Sequence, residues 1–410
     1  MNISPLSSSL SRRHFLQHTG AAASIGAVAS WSAAYADSPA ASEVRIGIVG
    51  GRFGCGFQFH EHPGCVVEAV SDLRPERRDA LMQTYACQKS HESLEKLVLD
   101  PKIDAVFIAT EAPNHVPHAL LALNAGKHVL SAVPAAMTLE ECRQLVDAVE
   151  RTGLTYMMAE TSYWQQPTIS ARKFYEAGDF GDLYQVFSAY RHAGLEALWV
   201  EDGKPTWRHG LPPMLYPTHC TAHLIGVTGD RLTEVTCHGW GDGSAAIANN
   251  PYDNPFWNES AQFKTRNGRN FNVEVWWAGA HAGGERAEWF GDKMSFLSAN
   301  GYGTGPVIVR NGAQTELDNG GFVRAAAQIE PYQQPHWWST ELLPPPLRHD
   351  SGHEGSHCFI THEFIDAIQN GRRPAVDVYE AVAYTAPGIV AHQSALKGGE
   401  QMTIPSFDKV

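Results

Sequence analysis

Positive charge is scarce in this chain: 31 lysines and arginines stand against 44 aspartates and glutamates, a net charge of −13. That balance excludes nucleic acid and anionic membrane surfaces as partners, because no basic stripe is available to neutralise phosphates. Cysteine is sparse as well. The seven thiols, Cys55, Cys65, Cys87, Cys142, Cys220, Cys237 and Cys358, are odd in number and contain no C-x-x-C pair, which reads as scattered structural cysteines and not a disulfide framework. No apolar run is long enough to span a bilayer. Small, neutral or polar molecules are the partners that remain. What the chain does have is 410 residues with 43% hydrophobic content, enough for one or two globular domains with sizeable cores.

The first 36 residues stand apart. Ser11-Arg12-Arg13-His14-Phe15-Leu16-Gln17 carries a twin arginine, a weakly apolar run follows over 20–34, and Ala34-Tyr35-Ala36 ends it in an A-x-A cleavage pattern. The segment resembles a twin-arginine translocation signal, so residues 1–36 are expected to be removed and the mature protein to be periplasmic. Such routes resemble one another in exporting folded proteins with their cofactor already loaded. A nucleotide carried this way has no pool to exchange with, so it is expected to be held tightly and regenerated within each turnover.

The mature chain opens on a Val- and Ile-rich run, Val44 to Val49, that breaks into Gly50-Gly51-Arg52-Phe53-Gly54-Cys55-Gly56. A strand followed by clustered glycines and a helix is how a dinucleotide-binding βαβ unit begins, with a pyrophosphate resting on the helix N-terminus. Counted from Gly50, Arg52 and Cys55 fill the second and third glycine positions of G-x-G-x-x-G, so the motif alone is weak. Asp72 strengthens it: it ends a second apolar run 22 residues after Gly50, the spacing of a carboxylate that binds the adenosine ribose hydroxyls. Asp72 points to NAD, while Arg74 two residues on is able to face a 2′-phosphate, which keeps NADP open. Arg52 is a candidate charged contact to the pyrophosphate or a solvent residue.

Downstream, apolar runs at 66–72, 103–109, 128–130 and 154–159 alternate with helical stretches at 75–85, 116–125 and 139–151, the pattern of a parallel sheet covered on both faces. The second half changes character. Strand-like runs at 183–190, 232–239, 259–265, 271–277, 286–290, 294–299 and 307–309, with Asn-Gly turns at 267–268 and 311–312, predict an open, mainly antiparallel sheet. Its uncovered face requires helices or a second subunit, so a homo-oligomer is expected. Segments 193–215, 241–258 and 319–350 read as aromatic, proline-rich loops near the site, and 358–369 and 378–394 as helices returning to the first domain. The fold class is α/β: an N-terminal Rossmann domain over 43–160, an α+β substrate and oligomerisation domain over 161–350, and C-terminal helices over 351–410.

Several motifs together resemble the Gfo/Idh/MocA oxidoreductases: the glycine turn, Ala109-Thr110-Glu111-Ala112-Pro113-Asn114-His115, Gly126-Lys127-His128-Val129, Thr138-Leu139-Glu140-Glu141 and the helix over 364–371. Dehydrogenases of that family carry Glu-Lys-Pro where this chain has Ala132-Val133-Pro134, and valine neither donates nor accepts a proton. Val133-Pro134-Ala135-Ala136-Met137-Thr138, Tyr156-Met157-Met158-Ala159-Glu160, Leu215-Tyr216-Pro217-Thr218-His219 and Asp377-Val378-Tyr379 look instead like the NAD-dependent glycosidases, the α-N-acetylgalactosaminidase-like branch. That branch has a glutamate in place of Ala132.

The resemblance implies NAD as cofactor, bound by Gly50, Gly51, Arg52, Phe53, Gly54, Asp72, Arg74, Thr110, Asn114, His115 and Val133. It implies hydride removal from C3 of a sugar, loss of the acidified C2 proton to a tyrosine, departure of the aglycone, addition of water and return of the hydride. Tyr163 is the candidate C2 base, its phenol needing a lowered pKa. Tyr216 and His219, three apart at a helix start, are candidates for the C3 hydroxyl, with His219 able to take its proton near neutral pH; a buried histidine satisfied by a backbone carbonyl is the competing reading, which the motif disfavours, and His223, one turn further on, reads as core. Trp164, Trp207, Arg208 and His353 are candidate substrate contacts, since sugar C–H faces stack on aromatics. Trp276 and Trp277 are adjacent in a strand and point to opposite faces, one of them into the core. His353-Glu354-Gly355-Ser356-His357 also satisfies H-E-x-x-H, a zinc-hydrolase pattern with Glu380 as third ligand; Ser351, Gly352 and Gly355 break the continuous helix that pattern needs. A periplasmic sugar oxidoreductase with tightly bound cofactor and a non-catalytic sugar-binding relative complete the alternatives.

Overall fold

The computed structural model describes residues 43–192 and 194–409; the twin-arginine segment and its cleavage pattern lie outside the described residues. The chain begins with β1 (Val44–Val49), β2 (Cys65–Ser71), α1 (Pro75–Thr84), β3 (Ser90–His91), α2 (Leu94–Leu97), β4 (Ala105–Ile108), α3 (His115–Asn124), β5 (His128–Ser131), α4 (Leu139–Thr152) and β6 (Tyr156–Met158). Their strands pair in parallel in the order β3-β2-β1-β4-β5-β6, as the strand–helix alternation predicts. The order reverses direction between β1 and β4, which opens a crevice at the carboxyl ends of those strands. Side chains alternate through the sheet. Ile46, Ile48, Ala105 and Phe107 pack under a cluster that includes Phe359, Ile360 and Phe364, while Val106, Ile108 and Val129 face the core shared with the second sheet. Helix α4 starts with a complete capping box, Thr138 with Glu141, which fixes its entry after β5.

The second half holds α5 (Gln166–Ala177), β7 (Leu183–Arg191), the two-residue strands β8 (Val200–Glu201) and β9 (Lys204–Pro205), and α6 (Thr218–Thr228). Then follow β10 (Leu232–Trp240), β11 (Asn258–Thr265), β12 (Asn270–Trp276), β13 (Gly284–Gly291), β14 (Met294–Leu297), β15 (Val307–Arg310), β16 (Gln314–Glu316), β17 (Phe322–Arg324) and β18 (Gln328–Pro331). Helices α7 (Gly352–Gln369) and α8 (Val378–Leu396) and the edge strand β19 (Met402–Thr403) close the chain. The large sheet runs β18-β15-β14-β13-β7-β12-β11-β10-β19. Every pair in it is antiparallel except β7 with β12, so the expected open, mainly antiparallel sheet is the observed one.

In β11, Glu259, Ala261, Phe263 and Thr265 are buried while Ser260, Gln262 and Lys264 are exposed. The outer face of this strand is therefore polar, as water-facing antiparallel sheets are. The region 319–350 is not wholly loop: β17 and β18 lie in it, β18 as a strand at the sheet edge. Among the described residues no helix is long and apolar enough to cross a membrane, and all seven cysteines are free, six of them buried.

Candidate functional site

The glycine turn follows β1 at the crevice. Gly50 has φ +106°, and a Cβ there would lie 2.2 Å from the Ala109 carbonyl oxygen; a Cβ on Gly51 would lie 2.4 Å from the Arg77 carbonyl oxygen. Only glycine fits either place, which leaves the backbone bare where a nucleotide approaches. Gly54 serves differently, packing the turn against Ile48. Asp72 follows β2; its Oδ2 accepts from Gly51 N at 2.7 Å and its Oδ1 from Arg74 N at 2.9 Å. The carboxylate thus pins the turn to the strand end and keeps acceptor capacity for ribose hydroxyls. These features fit a dinucleotide.

Three details differ from expectation. The turn leads not into a long helix but into one 3₁₀ turn, Phe53–Gly56, because Cys55 and Gly56 are followed by extended chain. Arg52 is largely exposed and points to Glu201 at 3.7 Å. Arg74 bonds the same carboxylate at 3.0 Å, as does Arg77 at 2.8 Å, so Arg74 is committed to Glu201. Nor does His115 face the crevice. Asn114 is exposed, and the buried His115 ring spans the carbonyls of Pro134 (2.8 Å) and Thr110 (3.1 Å), tying the loops after β4 and β5 together.

A cleft of ≈ 190 Å³, open to solvent, lies over these strand ends, lined by Phe53, Thr110, Ala132, Val133, Thr161, Tyr190, Trp207, Arg208, Tyr216, His219, Trp277 and His353, among others. Leu195, Leu198 and Leu211 complete the wall, so the segment 195–211, which also holds β8 and β9, does border the site. Trp207 carries the Arg208 guanidinium 4.2 Å above its ring. Trp276 and Trp277 do point opposite ways: Trp277 is buried and donates to Leu211 O at 2.7 Å, while Trp276 lies half-exposed under Arg191.

His219, on the first turn of α6, is 5% exposed. Its Nδ1 meets Glu160 Oε1 at 2.8 Å and Ser162 Oγ at 3.2 Å, with Glu285 Oε2 at 3.9 Å. Ser162 and Gln165 also donate to Glu285. Burial works against a charged imidazole, but the carboxylates of Glu160 and Glu285 outweigh it and raise His219 to about 9. His219 is therefore a cationic donor at neutral pH, with Nε2 left for the cleft, and not the neutral-pH base expected. Tyr216 lies beside it, ring centroids 5.4 Å apart, and burial raises its phenol. His223 is the core histidine: burial lowers it to about 3, and it bonds Ser188 Oγ at 2.8 Å.

Tyr163 is not in the cleft. It belongs to the 3₁₀ turn Ser162–Trp164, where Ser162 faces His219 and the next residue turns away. Arg172 lies 3.8 Å over the Tyr163 ring, and the ring fills the gap at Gly226, where a Cβ would come within 2.7 Å. Burial raises its phenol despite Arg172. Tyr163→Phe is accordingly expected to leave kcat within about twofold of the native value; a loss of a hundredfold or more in steady-state assays would return Tyr163 to the site. Trp164 is buried too, stacked on Phe359 at 5.3 Å, and contacts no substrate space. The tyrosine that sequence reasoning missed is Tyr190, at the end of β7, 4.7 Å from the His219 ring. Neither Tyr190 nor Glu285 of β13 has a local signal; each is one more residue of an alternating strand.

The H-E-x-x-H segment does not form a zinc helix. His353, Glu354 and Gly355 have φ of 51°, 59° and 85°, a left-handed run that ends before the regular part of α7. His353 Nδ1 and His357 Nε2 face one another at 2.9 Å, hydrogen-bonded to each other, and Glu380 is paired with Arg231. His353 reaches the cleft through that turn and is held below the ordinary histidine range by burial and then by the charge of His219.

Residues 44–160 match the oxidoreductase family, NAD-binding Rossmann fold. The chain carries a Gfo/Idh/MocA NAD-binding domain. Residues 316–410 match the C-terminal domain of glycosyl hydrolase 109. Two proteins named glycosyl hydrolase family 109 protein are similar over most of the chain. The one from Streptomyces coelicolor is 24% identical over 401 residues, 89% of this chain and 83% of its own length. The one from Solibacter usitatus is 27% identical over 401 residues, covering 89% and 88%. Among solved structures, levoglucosan dehydrogenase in complex with NADH and levoglucosan superposes with TM-score 0.72 at 19% identity, covering 89% of this chain and all of that one. Scyllo-inositol dehydrogenase from Lactobacillus casei gives 0.64 at 17%. These likenesses establish the two-domain fold and the NAD-binding domain, and they make residues 316–410 similar to the C-terminal domain of glycosyl hydrolase 109.

Proposed function

We propose that the protein is an NAD-dependent glycoside hydrolase that keeps its cofactor through transient oxidation at C3 of a sugar. One observation carries the reading: His219, held by the buried Glu160 carboxylate, and His353, hydrogen-bonded to His357, share a cleft at the carboxyl ends of the Rossmann strands. When bound, NAD would supply reversible hydride acceptance: C3 loses its hydride to it and its hydroxyl proton to solvent, giving a ketone, and regains both at the end. The residues do the rest. His219 donates to the sugar oxygen that gathers negative charge when C2 loses its proton. His353 takes that proton, since the phenols of Tyr190 and Tyr216 are raised by burial and do not ionise at neutral pH. Departure of the aglycone from C1, addition of water and re-reduction complete a net hydrolysis.

Val133 at the place of the dehydrogenase lysine argues against plain alcohol oxidation, as does the likeness of the C-terminal segment to glycosyl hydrolase 109. Export by the twin-arginine route and a homo-oligomeric state belong to the same proposal; a cofactor that never leaves suits an enzyme shipped folded. The test has two stages. Denaturing the purified mature protein should release one NAD(H) per chain. Aryl glycosides turned over in deuterated water should yield sugar with deuterium at C2. Hydrolysis with no C2 exchange would remove the elimination step, and net sugar oxidation without aglycone release would make the protein an oxidoreductase.

A further inference from the structure

The His353 turn is tied to the cofactor turn by one imidazole. His357 Nδ1 lies 2.7 Å from the Gly56 carbonyl oxygen, and a carbonyl only accepts, so Nδ1 of His357 carries the proton. Its Nε2 then has the lone pair. That lone pair is 2.9 Å from His353 Nδ1, so His353 must donate from Nδ1. In a neutral ring the remaining nitrogen, Nε2, is then unprotonated. Burial lowers His357 to about 4, and it pushes His353 down as well.

The surroundings are built to hold His357 in this one pose. Its ring stacks on Phe57 at 4.2 Å with 10° between planes, and Phe53 meets it edge-on at 5.7 Å. A Cβ on Gly352 would lie 2.4 Å from its Cε1, and one on Gly56 3.0 Å from the same atom, so two glycines from chain segments some 300 residues apart leave the space the imidazole fills. The His353 turn is fixed from outside as well: Gln166 Nε2 donates to Glu354 O at 2.9 Å. A Cβ on Gly355 would strike Trp338 at 2.4 Å.

We infer that His357 is a positioning residue that locks His353 in its Nδ1–H tautomer, so that Nε2 offers a lone pair to the substrate, and that the carbonyl of Gly56 in the cofactor turn sets the direction of the pair. The inference rests on the reading of His353 as proton acceptor, but its test reads the tautomer directly. In nucleotide-loaded protein labelled with ¹⁵N-histidine, long-range ¹H–¹⁵N correlation at neutral pH should give His353 a protonated Nδ1 and an unprotonated Nε2; the resonances are assigned by their loss in His353→Gln. In His357→Leu that signature should be lost to tautomer averaging. There kcat should fall about 10- to 100-fold with KM and bound nucleotide unchanged. His357→Gln, whose Oε1 accepts, should restore the signature and part of kcat. An Nε2–H signature in the native protein, or an unchanged one in His357→Leu, overturns the proposal; should the leucine variant fail to fold, the native spectrum alone still decides. The expected signature in a protein that cleaves no glycoside would leave the tautomer lock standing and sink the reading of the reaction.

Discussion

A His353→Gly enzyme keeps its NAD, folds at least as stably as the native protein, and loses about 10²- to 10⁴-fold in kcat, the range for removal of a general base. The combination follows from where His353 sits. At φ 51° an L side chain costs roughly 1–2 kcal/mol that glycine does not incur, and this offsets the lost bond to His357. Strain of this kind in a cleft-lining residue marks a position held for its chemistry. Single-turnover assays with nucleotide quantified in the same sample would check it. A variant within tenfold of native turnover would take the proton acceptor elsewhere, and loss of nucleotide would make His353 a cofactor contact instead.

His219→Ala should abolish activity and also weaken the fold by about 3–5 kcal/mol, because Glu160, fully buried, would keep its charge without a counter-ion. The pH dependence gives the sign. His219 is raised from 6.5 to about 9, so its contribution to stability is complete below pH 6.5 and is lost as pH rises through about 9. Denaturant midpoints of native and variant proteins should therefore lie far apart at neutral pH and draw together above pH 9. Native activity should fall on the same alkaline limb as His219 ceases to donate. A gap that widens with pH would mean that Glu160 and His219 do not share a proton in this way.

The architecture was legible because its cause is local. Alternating apolar runs with interposed helical stretches placed β1, β2, β4, β5, α1, α3 and α4 to within two or three residues. Gly50 and Gly51 were legible for the same reason, since the turn that needs them is made by their own backbone. Tyr216 with His219 was half legible: a helix start put them on one cleft, but nothing local said that two carboxylates would charge the histidine.

Side-chain direction at the cleft was not legible. Tyr163 follows a strand end as a catalytic tyrosine would, yet Arg172 and the space above Gly226 draw its ring away. The cleft receives Tyr190 instead, through the pairing of β7 with β12. His353 and His357 match the spacing of a metal motif, and Ser351, Gly352 and Gly355 already spoke against the helix it needs; the left-handed backbone that stands there instead is held by Gln166 and Trp338, which no local signal announces. By itself the sequence determined the elements, the parallel and antiparallel sheets and the nucleotide turn, all of which arise from periodicity and backbone sterics within short windows. Only the tertiary structure decided which groups carry protons: the charge on His219 comes first from Glu160, 59 residues away, and then from Glu285 of a distant strand, and the tautomer of His353 from a carbonyl 301 residues before its partner.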